Sequence, residues 1–127
     1  MPRKIISTEN APGAIGAYSQ AAVAGNIVFL SGQIPLSPDT MEVVSDDVRT
    51  QIEQVFKNLE AVCIAAGGSF ADVVKLNVFL TDLVHFPIVN EVMATHFEEP
   101  YPARAAIGVA SLPKDVAVEV EGVMYLG

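Results

Sequence analysis

Ser45-Asp-Asp-Val-Arg-Thr-Gln-Ile-Glu-Gln-Val-Phe-Lys-Asn-Leu-Glu-Ala-Val-Cys-Ile-Ala-Ala-Gly-Gly68, followed closely by Val73-Val-Lys-Leu-Asn-Val-Phe-Leu80, decides the class of the fold. In the first stretch apolar residues recur at Val48, Ile52, Val55, Phe56, Leu59, Val62, Cys63 and Ala66. Steps of three and four put them on one buried face of a helix. Ser45, Asp46 and Asp47 supply N-cap candidates and early negative charge, and Gly67-Gly68 ends the helix. Cys63 falls on the buried face, where a small core residue is expected rather than a reactive thiol. The second stretch is rich in β-branched and aromatic residues and has the length of a strand.

The chain on either side completes the pattern. Downstream, Thr81-Asp82 can cap the next segment, and Phe86, Val89, Asn90, Met93 and Phe97 then share one helical face. Pro87 fits only the first turn of that helix, and Pro100 and Pro102 follow its end. Ala103–Ala110 and Val116–Leu126 read as the last two strands. Upstream, Lys4–Ser7 reads as a short strand and residues 8–17 as a loop of small and turn-forming residues. Tyr18–Val23 and Ile27–Gln33 flank a tight hairpin at Ala24-Gly25-Asn26, and Pro35–Thr40 is a further loop. The order β-β-β-α-β-α-β-β predicts a single α+β domain over residues 1–127, a mostly antiparallel sheet of about six strands with two helices on one face. Several strands are apolar on both faces, as at Ile27–Leu30 and Val73–Phe79. Two helices cover only one side, so the other calls for a partner copy, with ligand sites expected where subunits meet.

Composition bounds the function. The 127 residues carry 7 Lys and Arg against 15 Asp and Glu, a net charge of −8, with no Lys/Arg cluster. Nucleic acid is a poor partner for such a surface, because phosphate is bound chiefly by Lys and Arg. A hydrophobic fraction of 51 % excludes disorder. No apolar run is long enough for a bilayer, and the start of the chain lacks a signal-peptide core. A lone cysteine fits a reducing, cytoplasmic setting. Metal is not expected: His85 and His96 stand far apart with no companion ligands at metal-site spacing. Nucleotide-binding glycine loops and the Gly-x-Ser-x-Gly elbow are also missing from the sequence.

Arg104 stands out, a lone charge in Pro-Ala-Arg-Ala-Ala-Ile-Gly-Val. Alternation places it with Ala106 and Gly108, and those small neighbours leave room above the strand. Its uses are a carboxylate partner in another subunit, snorkelling at an edge, or a bidentate grip on a ligand carboxylate. Glu119 and Glu121 share one face of the last strand, either as an acid/base pair or merely solvated. Tyr18, Gly32 and Asn90 are polar or small positions among apolar ones, each with an ordinary structural use as well.

Ile-Gly-Ala-Tyr18-Ser-Gln, Ser31-Gly32-Gln33-Ile-Pro, Pro-Ala-Arg104-Ala-Ala and Leu112-Pro-Lys-Asp-Val-x-Val-Glu119-Val-Glu121, in this order from about Ile6 to Met124, resemble the reactive intermediate deaminases (RidA, also called YjgF). The resemblance implies a chorismate-mutase-like fold and a homotrimer with clefts between subunits. It implies cofactor-free hydrolysis of enamine and imine intermediates, 2-aminoacrylate and 2-iminopropanoate, to 2-oxo acids and ammonia. By position, Arg104 would grip the substrate carboxylate with the backbone N–H of Ala106 assisting. Glu119 would hold or activate water, and Tyr18, Gly32 and Asn90 would line the cleft. Many relatives carry cysteine where this chain has Ala106, so a thiol-dependent role there is absent. Competing readings are a non-catalytic 2-oxo-acid sensor, an RNA-cleaving translation inhibitor and a chaperone-like holdase.

Overall fold

A computed structural model describes residues 3–127. Strands β1 (Lys4–Ile6), β2 (Ala21–Ala24) and β3 (Ile27–Gln33) precede helix α1 (Val48–Ala65); β4 (Val73–Leu80), α2 (Phe86–His96), β5 (Ala103–Gly108) and β6 (Val118–Tyr125) follow. The six strands form one sheet in the order β1-β2-β3-β6-β4-β5. Every pairing is antiparallel except β4 with β5, which run parallel because α2 crosses over between them. The expected α+β architecture is therefore present, with a mixed sheet.

Several sequence-derived boundaries move, some by one residue: the first strand ends at Ile6 rather than Ser7, the second at Ala24 rather than Val23 and the sixth at Tyr125 rather than Leu126. The second strand begins at Ala21 rather than Tyr18, because residues 18–20 belong to the preceding loop. The fifth ends at Gly108 rather than Ala110. The sixth begins at Val118 rather than Val116, because a 3-10 turn at Pro113–Asp115 precedes it and the Gln51 side chain takes the Ala117 N–H at 2.8 Å. Ala24 pairs with Ile27 across a two-residue turn, and Gly25 adopts the positive φ of +60° that this turn requires.

The core lies between one sheet face and the helices. Val28, Leu30, Leu76, Val78, Leu80, Val118, Val120 and Met124 point inward from the sheet. Ile52, Val55, Phe56, Leu59 and Val62 of α1 and Val89 and Met93 of α2 meet them. Asp47 caps α1 by accepting from Thr50 N at 3.0 Å. Cys63 is fully buried, and burial, with the nearby Glu60 and Asp72 charges, pushes its thiol up to about 12; it is a core residue, as expected.

The opposite sheet face has no layer over it. Ile5, Ala22, Phe29 and Val123 lie in register across β1, β2, β3 and β6. Phe29 is 54 % exposed, Ile5 47 % and Ile107 44 %. Contiguous exposed apolar surface is a common mark of interaction faces.

Candidate functional site

The residues singled out in the sequence fall into two clusters. The first sits where the β5 edge meets α2. Arg104 pairs with Leu76, Ala106 with Val78 and Gly108 with Leu80, all core-facing residues of β4, so Arg104 and Ala106 face the helix layer. The guanidinium lies 4.7 Å from the Phe86 ring centroid. Its Nη1 donates to Asn90 Oδ1 at 2.6 Å and approaches Met93 Sδ at 3.4 Å. Asn90 is exposed rather than part of the helix's buried face, and its amide oxygen is turned to the arginine. Among the described residues the sole salt bridge joins Arg49 and Glu91, so Arg104 has no carboxylate partner here. Asn90 and Met93, with Ala94 and Tyr101, line a hollow of about 220 Å³. As an edge strand, β5 also leaves alternate backbone N–H and C=O groups outside the ladder.

The second cluster lies on the uncovered sheet face. Val118 and Val120 are buried in the core, so Glu119 and Glu121 between them point the other way. Together with Ile15, Tyr18, Ser31, Gly32, Ile34 and Pro113 they line a hollow of about 400 Å³. Gly32 lies in a register shift of β3 between Leu30 and Gln33. A Cβ built there would overlap Glu119 Oε2 and come within 3.0 Å of its Cδ, so the glycine makes room for the carboxylate. Burial and, second, the Glu121 charge hold the Glu119 carboxyl above its ordinary value. Asn77 Nδ2 donates to Glu121 Oε2 at 3.1 Å from the adjacent strand.

Residues to which the sequence reading gave no role in the site hold this cluster. The Gln20 side chain is buried and ties the loop that carries Ile15 and Tyr18: its Oε1 accepts from Thr8 N at 2.7 Å and its Nε2 donates to Pro12 O at 2.8 Å. Ser31 donates through Oγ to Ser19 O at 2.5 Å, which fixes the loop to β3 next to Gly32. Gln51 bridges Ser45 O and Ala117 N, both at 2.8 Å, and so sets where β6 starts, one residue before Glu119. The available signal for Gln20 and Gln51 was a polar residue inside an apolar pattern, which is weak without knowing what lies opposite. Among the described residues no group of three or more His, Cys, Asp or Glu forms a metal-binding cluster.

Within one chain, then, Arg104, Asn90 and Ala106 come together on one face, and Tyr18, Gly32 and Glu119 on the other. The sheet stands between the two groups.

The family described as Endoribonuclease L-PSP matches residues 8–126. The chain is 46 % identical over 125 residues to the 2-iminobutanoate/2-iminopropanoate deaminase of Dermatophagoides farinae, covering 98 % of each chain. Among solved structures, RidA from an Antarctic Psychrobacter is 53 % identical, with a TM-score of 0.94 over 97 % of this chain and 99 % of that one. Escherichia coli TdcF, solved with bound serine, is 45 % identical, with a TM-score of 0.92 over 98 % and 99 %. In length, motif order and α+β chorismate-mutase-like architecture, the chain belongs to the Endoribonuclease L-PSP family, the group also known as YjgF or RidA.

Proposed function

We propose that this protein hydrolyses 2-aminoacrylate and its tautomer 2-iminopropanoate to a 2-oxo acid and ammonia, in the cytoplasm and without metal or cofactor. The site is a cleft between copies of a homotrimer: Arg104, Asn90 and the backbone of Ala106 come from one copy, and Tyr18, Gly32 and Glu119 from the next. The observation that carries this reading is the Arg104 guanidinium, held by an amide oxygen, a thioether and an aromatic ring with no acid to neutralise it. A planar fork in that state suits a small carboxylate. The uncovered apolar face supports the assembly, since association would bury it.

The chemistry asks little more. Protonation of 2-aminoacrylate at its terminal carbon gives the imine in its protonated form, whose carbon is already electrophilic. Glu119 takes a proton from a water molecule as the oxygen attacks that carbon, and the C=N π electrons move to nitrogen. Its raised proton affinity suits Glu119 to that first step. Glu119 then returns the proton to the amine, the hydroxyl O–H electron pair forms the C=O bond as the C–N bond breaks, ammonia departs and the hydroxyl proton passes to solvent. Arg104 holds the carboxylate throughout, so attack occurs in a fixed geometry. An RNA-cleaving reading, which the family description prints, meets a net charge of −8 and a sequence without a Lys/Arg cluster.

The test couples a pyridoxal-phosphate dehydratase, as a source of 2-aminoacrylate, to the purified protein and follows ammonia release. Ammonia should appear faster than in buffer alone, and Glu119→Gln should lower turnover by about 10²–10⁴-fold, the usual range for one acid/base group. Binding of a small 2-oxo acid should survive that substitution. Release no faster than in buffer, with binding retained, would leave a sensor instead of an enzyme.

A further inference from the structure

Glu121 is a second carboxylate beside the proposed water-activating one, and nothing in the reaction above uses it. Its place is well defined. It stands two residues from Glu119 on the same face of β6, about 7 Å along the strand. It sits directly opposite Asn77 in the β4–β6 ladder, and Asn77 Nδ2 donates to its Oε2 at 3.1 Å. Both glutamates are half-buried and border the same hollow.

We propose that Asn77 and Glu121 form a positioning pair for Glu119: Asn77 anchors the Glu121 carboxylate, and its fixed negative charge sets how strongly Glu119 holds a proton. This deepens, and rests on, the reading that Glu119 carries protons in the reaction. Two like charges across a short, half-buried gap disfavour double ionisation, and an anchored carboxylate exerts that effect at a constant distance.

The groups that face this pair within the chain are mostly uncharged. From β3, Ser31 and Gly32 face Glu119, and neither is charged. From the loop comes the Tyr18 phenol, and from the turn before β6, Pro113. From β4, Phe79 lies opposite Glu119, and Lys75 stands on the same face one row beyond Glu121, opposite Val123. β5 contributes Ile107, beside Phe79. Neither glutamate forms a salt bridge among the described residues. In the proposed assembly the Arg104 guanidinium of a neighbouring copy joins Lys75 as a cation on this face, which is why the pair matters: it opposes a cation's tendency to strip Glu119 of its proton.

The experiment is a carboxyl-carbon NMR titration of the glutamate-labelled protein without substrate, with the Glu119 signal assigned by its loss in Glu119→Gln. In Glu121→Gln the Glu119 midpoint should move to lower pH, and in Glu121→Asp it should stay nearer the parent value because a charge remains. Asn77→Ala should give a smaller displacement in the same direction, since the charge persists but is no longer held. The comparison is made on the same signal across variants. Coincident Glu119 curves in the parent and Glu121→Gln overturn the proposal, and an unmoved curve in Asn77→Ala overturns the anchoring role. The acid limb of kcat/KM, recorded on the same variants, tests the separate reading that Glu119 acts in turnover: an NMR midpoint that moves while the acid limb stays put sinks that reading and leaves the pair intact.

Discussion

Replacing Arg104 with lysine is expected to lower kcat/KM for 2-aminoacrylate about 100-fold while the protein still folds. The argument is geometric. In this structure Nη1 is committed to Asn90 and Met93, and the guanidinium carbon lies over the Phe86 ring. The rest of the fork is left to hold both oxygens of a carboxylate. Lysine keeps the charge but offers a single tetrahedral ammonium on a flexible stem. It can satisfy Asn90 or one ligand oxygen, and it loses the guanidinium contact with Phe86. Hydrogen bonds to charged groups contribute about 1.5–3 kcal/mol, and each 1.4 kcal/mol is a factor of ten in rate. Losing one or two such bonds gives the expected figure. The side chain sits at a sheet edge rather than in the core, so the thermal midpoint should change little. Steady-state kinetics with the dehydratase-coupled assay and a melting curve give both readouts. Activity within about threefold of the parent would show that a point charge suffices, and the bidentate grip would have to be abandoned.

Gly32→Ala should be nearly as damaging as losing Glu119 itself, through a different route. The new Cβ would overlap Glu119 Oε2 and press on Cδ and Cγ at 3.0 and 3.2 Å. The obstructing atoms belong to a side chain that can rotate away, so the backbone need not yield and stability should hold. What is lost is the carboxylate's position. Turnover should fall by about 10²-fold or more, with a melting temperature within a few degrees of the parent. The double variant with Glu119→Gln supplies the check. If the alanine acts only by displacing Glu119, the double should be no slower than Glu119→Gln alone, because the two changes share one partner. Additive losses would mean that Gly32 serves the site in another way, as by close approach of its backbone to substrate.

The sequence revealed most where a pattern ran long and uninterrupted. Ile27–Gln33, Val73–Leu80 and the helix from Val48 were bounded correctly because alternation and caps agreed. It failed where a boundary depends on a distant side chain. Tyr18-Ser-Gln continues a strand-like pattern, yet Gln20 spends its amide on the backbone of residues 8–12. Val116-Ala reads as strand, yet the Ala117 N–H is taken by Gln51, 66 residues earlier. Asn90 was placed on the apolar face from its spacing, and only the position of Arg104 shows why a polar group stands there. Arg104 itself was legible, since a lone cation among alanines has few explanations. Its placement relative to Glu119 was not. Alternation fixes the two faces of each strand but not which face of one matches which face of another. That needed the register, in which Arg104 lies beside Leu76 and Glu119 beside Phe79.

If the proposed site forms between copies, then, because the sheet separates Arg104 from Glu119, a solitary chain would possess both halves of a catalyst and no working one. Turnover per chain would then vanish on dilution below the association threshold, without any loss of folded protein. Two inactive variants, one lacking the arginine and the other the glutamate, would rescue each other when dissociated and reassembled together, since roughly one junction in four would inherit an intact residue from each parent.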